Sequence, residues 1–155
     1  MIEGLGIKTL DDVDVKGRVT LVRVDFNSPV DPQTKRILDD SRIRIHAQRT
    51  IRELVEAGAR TVIMAHQGRK GEPDFISLRA HAEILGRILG MEVKFVDDIF
   101  GERAKEAIRG LKDGEVLVLE NVRMWEGETK KRSPEEHAES EMVRELGPPI
   151  DVYVI

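Results

Sequence analysis

Val19-Thr20-Leu21-Val22-Arg23-Val24-Asp25-Phe26 is an apolar, β-branched run broken only by Thr20, Arg23 and Asp25. Eight residues of this kind fit a strand better than a helix, which needs a longer periodic stretch. Beyond Phe26 the period changes. Asp39-Asp40-Ser41 offers helix-cap oxygens, and Ile43, Ala47, Ile51, Leu54 and Val55 then recur at helical spacing as far as Gly58, placed as a C-cap glycine. The alternation continues outward. Residues 61–65 (TVIMA) read as a second strand. Ser77 opens a second helix with Leu78, Ala82, Leu85 and Leu89 on one face and Gly90 at its end. Residues 92–96 read as a third strand, 101–111 as a short third helix and 115–119 (EVLVL) as a fourth strand. Ser133-Pro134-Glu135-Glu136 is a capping box with proline at the first helical position. It predicts a helix to Leu146, stopped by Gly147-Pro148-Pro149, before a fifth strand over residues 151–155. Strands and helices in alternation predict an α/β domain with a mainly parallel sheet of about five strands. The strands are apolar on both faces, as they must be when helices cover both sides in three layers, α/β/α.

The chain has 155 residues, the size of one ordinary domain. Hydrophobic residues make up 40%, enough for a core, which excludes wholesale disorder. The longest apolar runs are about five residues, against the roughly 20 that span a bilayer, and the opening MIEGLGIKTLDD has neither a basic n-region nor an apolar h-region. A cytoplasmic protein without membrane contact is expected. With no cysteine, disulfides, thiolate catalysis and Cys-based zinc sites are excluded. His46, His66, His81 and His137 are scattered and form no metal-ligand pair. The 25 basic and 29 acidic residues leave a net charge of −4, the wrong sign for a nucleic-acid binder, though a small anion on a local basic cluster remains open. Charged residues reach 35% while the chain has two asparagines and three glutamines, a composition that fits a thermophile. The chain stops inside an apolar strand, and termini are usually polar tails, so a piece of a longer protein is expected.

In open α/β sheets, ligands bind beyond the carboxyl ends of the strands. The first strand ends in Asp25-Phe26-Asn27-Ser28-Pro29, the second in His66-Gln67-Gly68-Arg69-Lys70-Gly71, the third in Asp97-Asp98, the fourth in Glu120-Asn121-Val122-Arg123. Arginine, histidine and amide groups at three of the four ends make a donor-rich rim suited to a phosphorylated or carboxylated small molecule. Asp25 and Asn27, two apart, share one side of an extended chain and could grip hydroxyl groups; equally, they could form an Asx turn before Pro29. Arg42 stands in the first turn of its helix, where the dipole disfavours a cation by about 0.3–1 kcal/mol. Such a local misfit accompanies function in some proteins, and a solvated pairing with Asp39 or Asp40 in others. His66 is either a structural residue or a ligand group, with Gly68 and Gly71 allowing close backbone approach beside Arg69. Arg123 is either an exposed loop arginine or part of the same rim. Neither a GxxxxGK[ST] loop nor a strand ahead of Gly4-Leu5-Gly6 is present, so the chain carries no nucleotide motif of its own.

Arg23-Val24-Asp25-Phe26-Asn27-Ser28-Pro29-Val30, Asp40-Ser41-Arg42-Ile43, Ala65-His66-Gln67-Gly68-Arg69 and Leu119-Glu120-Asn121-Val122-Arg123 together resemble phosphoglycerate kinase. The likeness is to the N-terminal half of an archaeal-type enzyme, and it covers nearly the whole chain. It implies a Rossmann-like domain that binds 3-phosphoglycerate or 1,3-bisphosphoglycerate, with a second, absent C-terminal domain binding magnesium-ATP or ADP. It implies that Asp25 and Asn27 hold the hydroxy-acid part of the substrate. Arg42 is implied as the catalytic arginine on the transferring phosphoryl group, and His66, Gly68, Arg69 and Arg123 as the surround of the substrate phosphate. No metal is expected on this part, and the 155 residues alone are expected to be inactive. Two residues depart from the commoner family pattern: Gln67 where many members have leucine, and Lys70 where many have proline. The competing readings are an aspartyl-phosphate phosphohydrolase working through Asp25, and a non-catalytic anion-binding module.

Overall fold

Five strands, β1 (Val19–Arg23), β2 (Arg60–Met64), β3 (Lys94–Phe95), β4 (Val116–Val118) and β5 (Val152–Val154), form one parallel sheet in the order β3-β4-β2-β1-β5. They are seen in a computed structural model that describes residues 14–69, 71–124 and 151–154. The helix expected over residues 133–146 and Lys70 lie outside these. In register, Val22 faces Ile63 and Ile63 faces Val118, while Leu21 faces Val62 and Val62 faces Leu117. Successive strand residues point to opposite faces, and the core divides accordingly. Val22, Ile63 and Val118 belong to one cluster with Ile43, Ala47, Ile51, Leu54, Leu78, Ala82 and Leu85. Leu21, Val62, Met64 and Leu117 belong to a second with Ala104 and Ile108. Helices thus cover both faces, as the doubly apolar strands require.

The long first helix is one continuous helical run in three parts: α1 (Ser41–His46), a π-helical turn (Ala47–Ile51) and α2 (Arg52–Glu56). The Arg52 N–H reaches back to the Ala47 carbonyl, a five-residue bond. The spacing of the apolar residues accounts for it. Ile43, Ala47 and Ile51 are each four apart and each fully buried. On a 3.6-residue helix a four-residue step drifts by about 40°, and one wider turn takes up that drift. The other helices are α3 (Arg79–Leu89), closed by Gly90 at φ 72°, and α4 (Glu102–Arg109).

Strand lengths differ from the sequence expectation. β1 ends at Arg23 rather than Phe26. Val24 N–H still donates to Met64 O, but the Asp25 N–H goes to His46 Nε2 (3.3 Å) and the Asn27 N–H to Asp25 Oδ1 (3.1 Å). Side chains take over the backbone donors, so the segment leaves the ladder and turns across the sheet end. β3, an edge strand, keeps only two of the five expected residues. Among the described residues no helix is long and apolar enough to cross a membrane.

Candidate functional site

The loops after β1, β2 and β4 meet at the carboxyl ends of the strands. Asn27 Oδ1 accepts the Gly68 N–H at 2.8 Å, which leaves its amide Nδ2 as the group to present to a ligand. Arg123 Nη1 donates to Gly68 O at 2.8 Å, so the loops after β1 and β4 both fasten on the same residue. Gly68 has φ +68°, and a Cβ there would lie 2.5 Å from Asp74 O. Only glycine fits that position without moving the backbone. Asn121 fills the space beneath: Oδ1 accepts the N–H groups of Gln67 and Arg123, and Nδ2 donates to the carbonyls of Gln67 and Ile76. All four of its hydrogen-bonding positions are used, and it is fully buried.

The resulting cleft of about 620 Å³ is lined by Asn27, His66, Gly68, Arg69 and Arg123, together with Glu72 and Asp74. Five of the seven expected site residues therefore face one space. The other two sit beside it: Arg42 Nη1 pairs with Asp25 Oδ2 at 2.8 Å, and Asp25 Oδ1 accepts from Asn27. The Asx turn of Asp25 and Asn27 forms, and it is what points the second carboxylate oxygen at Arg42. The pairing of Arg42 with Asp39 or Asp40 is not what the structure shows. Asp40 pairs with Arg44 at 3.2 Å, and Asp39 accepts from the Ser41 amide and hydroxyl. Those hydrogen bonds hold the Asp39 carboxyl below its ordinary value, the Ser41 hydroxyl contributing most.

His46 stands behind Asp25. Its Nε2 accepts the Asp25 N–H, which requires the neutral ring, and burial holds its pKa below the ordinary value against the opposing charge of Asp25. Phe26, fully buried, packs edge-on to His46 and parallel to His81, with centroids 6.1 and 6.3 Å apart. His81 is buried and its pKa is pushed down to about 4 by desolvation. Asp98, one of the Asp97-Asp98 pair, is a helix cap: its Oδ2 accepts the Ala104 N–H at 3.0 Å. Glu72 and Asp74 give no sequence signal beyond lying in a glycine-flanked loop. Gln67, His46 and Glu120 carry structural roles that sequence spacing does not reveal.

A parallel sheet covered by helices on both faces, with a polar cleft gathered at the carboxyl ends of its strands, places the chain among the Rossmann-like α/β domains. The family described as phosphoglycerate kinase matches residues 10–155, and the chain belongs to that family. A phosphoglycerate kinase of Methanothermobacter thermautotrophicus is 56% identical over 147 residues, covering 95% of this chain and 36% of the relative. One of Sulfurisphaera tokodaii is 45% identical, covering 99% and 37%. The crystal structure of the Pyrococcus horikoshii enzyme superposes with a TM-score of 0.85 at 36% identity over 95% of this chain and 36% of that one. That of Coxiella burnetii, at 23% identity and a TM-score of 0.70, shares the fold. The chain thus spans little more than a third of the length of these relatives.

Proposed function

We propose that this chain is the acid-substrate domain of a phosphoglycerate kinase, which moves a phosphoryl group between 1,3-bisphosphoglycerate and ADP to give 3-phosphoglycerate and ATP. The supporting observation is the convergence of residues from three separate loops. Asn27, His66, Gly68, Arg69 and Arg123 share one cleft, and the Arg42–Asp25 pair adjoins it. 3-Phosphoglycerate offers a phosphate, a hydroxyl and a carboxylate. The phosphate goes to His66, Arg69 and Arg123, beside the Gly68 loop that Asn27 and Arg123 hold in place. The hydroxyl goes to Asp25 and Asn27. Arg42 acts where charge develops on the transferring phosphoryl group, a step that needs positioning and charge stabilisation more than covalent chemistry. Both members of the Arg42–Asp25 pair are about half exposed, so releasing the arginine costs only ~0–1 kcal/mol. Glu72 and Asp74 bring negative charge to the same rim.

The sequence has no phosphate-binding glycine loop. We assign the nucleotide to a second, C-terminal domain. The phosphohydrolase reading has no support from the family match, which is to phosphoglycerate kinase. Composition and the archaeal relatives favour a thermophilic archaeal, cytoplasmic enzyme. Calorimetric titration of the 155-residue chain decides the division of labour. 3-Phosphoglycerate should bind and ATP should not, with no turnover in a coupled assay. Nucleotide binding without acid binding, or turnover by the chain alone, overturns it; binding of inorganic phosphate with equal affinity selects a simple anion module.

A further inference from the structure

Both asparagines of the chain and one of its three glutamines meet in the strand-end network. The asparagines tie loop to loop; the glutamine, Gln67, does something different. Its side chain is fully buried. Oε1 accepts the Ser28 N–H at 2.8 Å and Nε2 donates to Ser28 O at 2.9 Å, so one amide grips both sides of a single residue. Nε2 also donates to Asp74 O at 3.1 Å. His81 Nε2 lies 3.0 Å from Oε1. Because Oε1 can only accept, that ring nitrogen carries the proton, and His81 Nδ1 is left buried without a partner. Every donor and acceptor of the Gln67 amide is thereby used, and its orientation is fixed.

The clamp joins the two segments that frame the cleft. Ser28 follows Asn27 directly, and Asp74 O is the atom against which Gly68 is packed. We propose that Gln67 is a positioning residue: through Ser28 and Asp74 it sets the gap between Asn27 and the Gly68 loop, and so the fit of the phosphorylated acid. The leucine that many members of the family carry here fills the volume but holds neither segment, so the clamp belongs to the Gln67–His81 pairing of this chain rather than to the family at large. The proposal rests on the reading of 3-phosphoglycerate as the substrate of this cleft.

The test uses the full-length parent enzyme with Gln67→Leu and the double variant Gln67→Leu/His81→Leu, which leaves no orphaned imidazole. KM for 3-phosphoglycerate should rise on the order of 10–100-fold, the effect of small misplacement, while KM for ATP stays within about twofold. The double variant should recover melting temperature without recovering KM. Amide exchange at Ser28 and Gly68, measured without any ligand, should quicken in both. Unchanged KM for the acid with unchanged exchange overturns the proposal, as does a KM that recovers together with melting temperature. A wild-type enzyme that ignores 3-phosphoglycerate overturns the substrate reading instead, and the exchange rates still decide whether the clamp holds the two segments.

Discussion

Arg42 and Asp25 are 17 positions apart and meet only because the helix after β1 returns over the strand end. If Arg42 stabilises developing charge, its contribution belongs to the transition state. Arg42→Ala in the full-length enzyme should then lower kcat on the order of 10²-fold or more, with a smaller effect on KM for the acid. Arg123→Ala should do the reverse if, on the proposed reading, Arg123 seats the phosphate; it also holds the Gly68 carbonyl. Steady-state kinetics in both substrates checks the contrast, and near-normal kcat in folded Arg42→Ala removes that residue from the chemistry. Gly68→Ala should cost stability. The left-handed backbone alone is worth about 1–2 kcal/mol against a side chain, and the contact with Asp74 O adds to it. Urea unfolding reads the loss, and an unchanged midpoint would mean the loop simply moves. These residues are legible in the sequence as chemistry-bearing types at strand ends. Their pairings are not, because which acid faces Arg42 depends on how the helix sits over the sheet.

The elements themselves follow the pattern of the sequence, since period two and period 3.6 apolar spacing set which face each one buries. Their ends do not. Ser77 reads as the start of α3, and its hydroxyl does accept the Arg79 N–H, but the decisive cap comes from the end of β4. Glu120 Oε1 accepts the Leu78 and Asn121 N–H groups, and Oε2 accepts the Ser77 hydroxyl. A cap supplied from 42 residues away leaves no local signal. Glu120→Ala should lower stability by at least about 2 kcal/mol, combining a lost cap with buried amides left unpaired. It should also loosen Asn121 and with it the cleft. Chemical denaturation beside 3-phosphoglycerate titration checks both, and a cost below half that figure would show that water replaces the carboxylate.

Across the whole molecule, the parallel sheet and its two helical layers are legible from alternation, whereas the strand order β3-β4-β2-β1-β5 is not, because no short-range pattern says which strands become neighbours. The buried histidine gives the molecule a pH dependence. The ordinary His81 value of 6.5 falls to about 4 in the fold. The unfolded chain therefore takes up a proton below pH 6.5 that the folded chain refuses. Stability should decline as pH falls from about 6.5 and level off near 4, by roughly 3 kcal/mol from this group. His46 shifts the same way, while Asp31, Asp39 and Glu115, all held low by hydrogen bonds, begin to release stability as pH falls through their ordinary values of 3.8 for the aspartates and 4.5 for Glu115. His81→Leu should flatten the slope in urea midpoints measured from about pH 7 to 4; an unaltered slope assigns it elsewhere. The π turn at Ala47–Ile51 works as a spacer between two fixed points. Arg42 and His46 lie before it, and Leu54, locked in the core, lies after it. Deleting exposed Gln48 would return the turn to ordinary pitch and swing everything ahead of it by about 100°, like a key cut one notch short. Helical content would persist while Arg42 turned away from Asp25. The number of residues in that turn, rather than the chemistry of any one of them, sets the angle at which the arginine is delivered to the cleft.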